Sequence, residues 1–146
     1  MNIKKIVCCT DFSENSKEAV MTAIEMAEKY KARLSIIHVL PPAINPMYIE
    51  AGFMFAEEPT ASLILKMEEQ MQKEYGAAIG EHIKDDLVVL NGHASTEILD
   101  YLKENQTDVV VMGSFGLSGM GLVVFGSVAK RIAHKAPCSV MIVRKG

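Results

Sequence analysis

Short runs of β-branched and apolar residues alternate along this chain with stretches whose apolar residues recur every three to four positions. That alternation restricts the fold more than any single motif. The runs are Ile3–Cys9, Arg33–Leu40, Asp86–Leu90, Asp108–Met112 and Cys138–Arg144. Ala19, Val20, Ala23, Ile24 and Ala27 mark a first helix, capped by Ser13 or by Asn15 with Glu18 as capping-box partner. A second helix is expected from about Thr60 to Ile83, with Ile64, Met67, Met71, Tyr75 and Ala78 on one face. A third starts near Ser95 and buries Ile98, Leu99 and Leu102. The last places Ala129, Ile132, Ala133 and Ala136 on one face and stops before Pro137. This order predicts a three-layer α/β sandwich, a five-stranded parallel sheet with right-handed crossovers and helices on both faces. Strands that are apolar throughout suit a sheet covered on both sides. Ligands of such sheets bind beyond the carboxyl ends of the strands, here Thr10-Asp11, Val39-Leu40, Asn91-Gly92 and Met112-Gly113.

With 146 residues, 49% apolar and 23% charged, the chain can bury a core without staples, and one domain over 1–146 is expected. A net charge of -3 offers no basic footprint for nucleic acid and no polybasic patch for a membrane surface. The first apolar run turns polar at Thr10-Asp11, too soon for a signal peptide or a membrane span, which favours the cytoplasm. Cys8, Cys9 and Cys138 lie within apolar runs and read as buried small hydrophobes in a reducing compartment. The 41–59 connection holds four of the five prolines together with Met47, Tyr48, Phe53, Met54 and Phe55. A connection this long is usually functional or mobile. It is a lid over a ligand, a surface for a protein partner, or a self-packed loop.

A glycine-rich stretch from Gly113 to Gly126 leaves the fourth strand and ends at a helix start, where Ser127 adds a hydroxyl. Glycine lets backbone amides approach an anion, and a helix start offers unpaired N–H groups. Two common phosphate motifs fail here. The spacing from Gly121 to Ser127 lacks the lysine of a Walker A loop. Gly119-Met120-Gly121 follows the fourth strand rather than the first, with Val124 where a dinucleotide fingerprint needs glycine. On these residues alone, phosphate binding and a tight-turned loop with Ser127 as helix cap both stay open.

The spacing Gly113-x2-Gly116-x9-Gly126-Ser127 resembles the nucleotide motif of the universal stress protein family. Thr10-Asp11-Phe12-Ser13, Gly126-Ser127-Val128-Ala129, Ala136-Pro137-Cys138 and Val140-Met141-Ile142-Val143 are similar to further hallmarks of that family, in the same order, over about residues 3–144. The resemblance implies the adenine nucleotide α-hydrolase-like fold, with strand order 3-2-1-4-5. It implies an ATP-binding regulatory protein of the stress response. Adenine would lie near Thr10, Asp11 and the backbone of Val39, with Asp11 on the ribose hydroxyls or else serving as a helix-start carboxylate. Phosphates would lie along Gly113, Gly116, Gly126 and Ser127, flanked by Met112 and Val128. It also implies a homodimer through the edge strand Val140, Met141, Ile142 and Val143. The chain departs from many relatives in having no cationic side chain from Ser114 to Phe125. Phosphate affinity would then rest on amides, hydroxyls and a bound Mg²⁺, and binding would be weaker than in relatives.

Two rival readings keep the fold: a nucleotide-free interaction module, and a slow ATPase. No nucleophile and base stand together in a known signature, so an enzyme is not predicted. The histidines His38, His82, His93 and His134 lack ligand spacing, so no metal site from side chains alone is expected. His38 reads as a satisfied core or edge residue, and His93 as a turn residue that could border the pocket. Cys8 and Cys9 should face opposite sides of their strand.

Overall fold

The computed structural model describes residues 1–44, 56–57, 61–81, 83, 85–114 and 126–145. Strand β1 (Lys5–Cys9) leads through helix α1 (Glu14–Tyr30) into β2 (Arg33–Leu40). Two short strands, β3 (Ala43–Ile44) and β4 (Ala56–Glu57), pair antiparallel at the ends of the long connection. The aromatic and methionine residues between them, Met47 to Phe55, lie outside the described residues. Helix α2 (Ala61–Tyr75), β5 (Asp85–Asn91), α3 (Ala94–Glu104), β6 (Val109–Gly113), α4 (Ser127–Lys135) and β7 (Ser139–Val143) complete the chain. The five longer strands form one sheet in the order β5-β2-β1-β6-β7, and every pairing is parallel. Counted within that sheet alone, the order is 3-2-1-4-5, as expected.

Period-two alternation divides the core into two layers. Ile6, Cys8, Leu34, Ile36, Val109 and Val111 pack on one face against Ala19, Val20, Ala23 and Ile24 of α1 and Met71 and Tyr75 of α2. Val7, Cys9, Ile37, Val110 and Met112 pack on the other against Ile98 and Leu102 of α3 and Ala129 and Ile132 of α4. Cys8 and Cys9 therefore face opposite layers. The small alanines of α1 let that helix lie close on the sheet, and all three are almost fully buried at Ala19, Ala23 and Ala27.

Several local expectations need correction. Ser13 caps α1, its hydroxyl accepting from the Ser16 amide at 3.2 Å. Ser16, not Glu18, completes the cap, because its Oγ returns a bond to the Ser13 carbonyl at 2.9 Å while Glu18 faces solvent. Helix α2 stops at Tyr75 rather than near Ile83. Gly76 follows, a residue that costs about 1 kcal/mol in a helix interior. The amides of Ala78 and Ile79 both turn back to the Tyr75 carbonyl, at 3.1 and 3.3 Å. Along α2 only Met71 and Tyr75 are buried; Ile64 and Met67 are half-buried. Leu99 of α3 is half-buried and Ala133 of α4 is exposed, since the sheet covers less than a full stripe of either helix.

Candidate functional site

Strand order reverses between β1 and β6, whose chains leave toward α1 on one side and α4 on the other. A crevice must open there. On the β1 side, the Thr10 amide bonds the Ile37 carbonyl at 2.9 Å, one residue past the strand. On the β6 side, the Ser114 amide bonds the Val143 carbonyl at 3.0 Å, and the Gly126 amide bonds the Ser114 carbonyl at 2.9 Å. The two ends of the glycine-rich stretch are thus pinned to each other at its base, although 115–125 lie outside the described residues. Gly113 has a steric reason of its own. A Cβ there would meet the Asn15 backbone C and O at 2.9 Å, so only glycine lets β6 run this close to the first turn of α1.

A cavity of about 360 Å³ fills the crevice, and eight of the nine residues expected from the sequence line it: Thr10, Asp11, Val39, Met112, Gly113, Gly126, Ser127 and Val128. The ninth, Gly116, lies outside the described residues. The wall also includes His38, Ser16 and Ser114, together with Ala94 and Ile98 of α3. Sequence reasoning missed these contributions. Ser114 follows Gly113 directly and was visible as a loop hydroxyl, but Ser16 and Ile98 reach the wall only through helix packing. His93, a border candidate, is exposed, stands at the N-cap of α3 and is not among the lining residues.

The polar groups of the wall are mostly fixed. Thr10 Oγ1 lies 2.6 Å from the Tyr75 hydroxyl and 3.2 Å from Ser16 Oγ, and accepts from the Phe12 amide at 3.1 Å. His38 Nδ1 is 2.8 Å from the Thr10 carbonyl. A carbonyl only accepts, so Nδ1 carries the proton. Phe12 adopts a left-handed φ of 63°, and its ring stacks on Tyr75 at 6.2 Å and leans on His38 at 4.7 Å. These contacts hold a conformation that a bulky residue rarely adopts. Asp11 Oδ1 accepts from the Ser13 amide at 3.0 Å, so this carboxylate does serve the helix start while it also lines the cavity.

One wall group is left over. Ser114 Oγ is buried and has no hydrogen-bond partner among the described residues. An unpaired buried hydroxyl costs about 1–3 kcal/mol, a debt that a ligand oxygen or a water in the cavity would remove. Two helix starts add to the demand for an acceptor. Among the described residues no side chain caps either helix start, since Gly126 at the N-cap of α4 has none to offer and His93 at that of α3 makes no capping bond, and the first residue of each helix, Ser127 and Ala94, lines the cavity. Uncapped N–H groups with the helix dipole behind them favour an anion. Burial, with Cys138 nearby, pushes the Cys9 thiol on this wall up to about 12, so it stays a neutral thiol at physiological pH.

The universal stress protein family model matches residues 2–144. The chain belongs to the universal stress protein family. A universal stress protein of Bacillus subtilis, YxiE, is 30% identical over 96% of this chain and 98% of its own length. Among solved structures, UspA of Lactobacillus plantarum superposes with a TM-score of 0.76 at 21% identity, covering 99% of both chains. A universal stress protein in complex with cAMP has a TM-score of 0.69 at 21% identity, covering 100% of both chains. The universal stress protein of Archaeoglobus fulgidus in complex with dAMP has a TM-score of 0.69 at 20% identity, covering 98% of this chain and 99% of its own. These structures share the fold of this universal stress protein over nearly its whole length. Among the described residues, no helix is long and apolar enough to cross a membrane.

Proposed function

We propose that this universal stress protein is a cytoplasmic regulatory protein that binds ATP with Mg²⁺ and acts as a homodimer in the stress response. One observation carries the ligand reading: residues named from a nucleotide motif and from strand ends far apart in sequence line a single cavity, whose wall includes a buried hydroxyl with no partner among the described residues. The volume falls in the range of small-molecule sites. The fold neighbours that hold cAMP and dAMP support an adenine nucleotide as the ligand. In this reading the purine lies against Val39 and Thr10, Asp11 meets the ribose, and phosphates meet Ser114, Gly126 and Ser127. Mg²⁺ would be held by phosphate oxygens and these hydroxyls, because hard cations take oxygen donors. The protein is read as a binder rather than an enzyme.

Thermal melting with and without Mg-ATP tests the ligand reading. Linkage gives a stabilisation of about 2.7 kcal/mol at ligand one hundred times above its Kd. A folded sample whose midpoint does not move at millimolar Mg-ATP would instead be a nucleotide-free interaction module. Phosphate release above that of a Gly126→Asp control would make it a slow ATPase.

A further inference from the structure

The glycine-rich stretch lacks a cation, yet the structure places one beside the cavity from another element. Arg131 lies on α4 one turn beyond Ser127, so the two residues share a helix face. Its Nη1 donates to Ser95 Oγ at 2.9 Å. Ser95 is the second residue of α3 and is 2% exposed, and its neighbour Ala94 lines the cavity. The guanidinium therefore links the second turn of α4 to the start of α3, next to the cavity though not among its lining residues. Ser95 Oγ also lies 3.3 Å from His93 Nδ1, which leaves that oxygen able to accept from Arg131 while its own proton goes to the imidazole.

This tether engages one of five guanidinium N–H donors, and the acceptor is a neutral hydroxyl. An arginine with exposed surface on such a partner forgoes the stronger bonds it makes with phosphate, where paired N–H groups meet paired oxygens. A terminal phosphate leaving the cavity past Ser127 would run along the face that carries Arg131. A monophosphate, seated at Ser114 and Gly126, would end short of it.

We propose that Arg131 reads the distal phosphates of the bound nucleotide, turning from Ser95 to the β- or γ-phosphate, and so sets a preference for adenosine di- and triphosphates over the monophosphate. This rests on the adenine-nucleotide reading above and adds to it the number of phosphates recognised and the residue that counts them.

The test is isothermal titration of the full chain with ATP and with AMP, at fixed Mg²⁺, for wild type, Arg131→Gln and Arg131→Lys. The expected result is tighter binding of ATP than of AMP by wild type. Arg131→Gln should lose ATP affinity by about tenfold or more, as for removal of one charge-assisted contact, with AMP affinity changed less than about twofold. Arg131→Lys should recover part of the ATP affinity, because it keeps the charge without the fork. An α3–α4 clamp with no ligand role predicts instead that ATP and AMP weaken together, and that Lys fails as Gln does. Either of those results overturns the inference while leaving nucleotide binding intact. No binding of either nucleotide by folded wild type overturns both. Should Arg131→Gln not fold, Arg131→Lys and the salt dependence of the wild-type ATP-to-AMP ratio decide: a ratio unmoved by salt and by Lys contradicts a charge-based role.

Discussion

Thr10 is where the local chemistry of the site concentrates. Its hydroxyl has three neighbours, the Tyr75 hydroxyl at 2.6 Å, Ser16 Oγ at 3.2 Å and the Phe12 amide at 3.1 Å. One donor and two acceptor positions suffice for all three. Removing one partner and removing the hub should therefore cost different amounts. Tyr75→Phe deletes a single bond and is expected to lose about 0.5–1.5 kcal/mol, whereas Thr10→Val removes all three contacts and is expected to lose about 1–3 kcal/mol or more. Urea denaturation of both variants measures the difference, and equal losses would contradict the hub. Tyr75 also gives the protein an alkaline limit. Burial raises its pKa above the ordinary 10.0, so the unfolded chain releases this proton first. Stability contributed by the neutral phenol is complete below pH 10 and falls as pH rises from there through the folded value. Tyr75→Phe should flatten the stability curve above pH 10, a slope readable in urea midpoints taken between neutral and alkaline pH.

Among the elements, close packing of β6 on α1 depends on a missing side chain. Gly113→Ala would press a methyl group into the Asn15 backbone at 2.9 Å, where no flexible atom can yield. An overpacking cost of about 1–3 kcal/mol is expected in denaturant melts. The sequence motif treats Gly113 as a phosphate residue, and the structure adds that the helix needs it first. Other elements differ in how openly the chain declares them. Strand β2 was readable to its end residues because its apolar run is bounded by Lys31 and by Pro41-Pro42. The end of α2 was not, because Ala78 and Ile79 continue the helical pattern past Gly76 even though the backbone has already turned. The same divide runs through the site. Positions at strand ends, such as Thr10, Val39 and Met112, follow from the alternation of strands and helices and meet at one cavity. The lone hydroxyl of Ser114, the reach of Tyr75 to Thr10 and the placing of Arg131 against Ser95 are tertiary facts between residues distant in sequence, and no periodicity encodes them.

At the scale of the whole molecule, two features of the sheet point in different directions. One is the edge. Among the described residues β7 pairs with β6 alone, and Met141 is 38% exposed on it. Apolar edges of this kind invite pairing with a second copy. Val140, Ile142 and Val143 pack toward the two cores, so Met141→Lys is the substitution that addresses the edge without disturbing the interior. Sedimentation should show that variant as a monomer beside a dimeric wild type, and a variant that remains dimeric would place the interface elsewhere. The other feature is the crevice at the reversal of strand order, on which the ligand account rests. Gly126→Asp separates ligand from fold there, since aspartate is a good N-cap for α4 but puts a negative charge on the cavity wall where phosphate would lie. The most direct measurement is equilibrium dialysis of Mg-ATP against wild type and Gly126→Asp at matched, folded concentrations. Saturation at one nucleotide per chain for wild type, with loss of binding in the aspartate variant, is the predicted result. No retention by wild type, or equal retention by both proteins, would contradict the site.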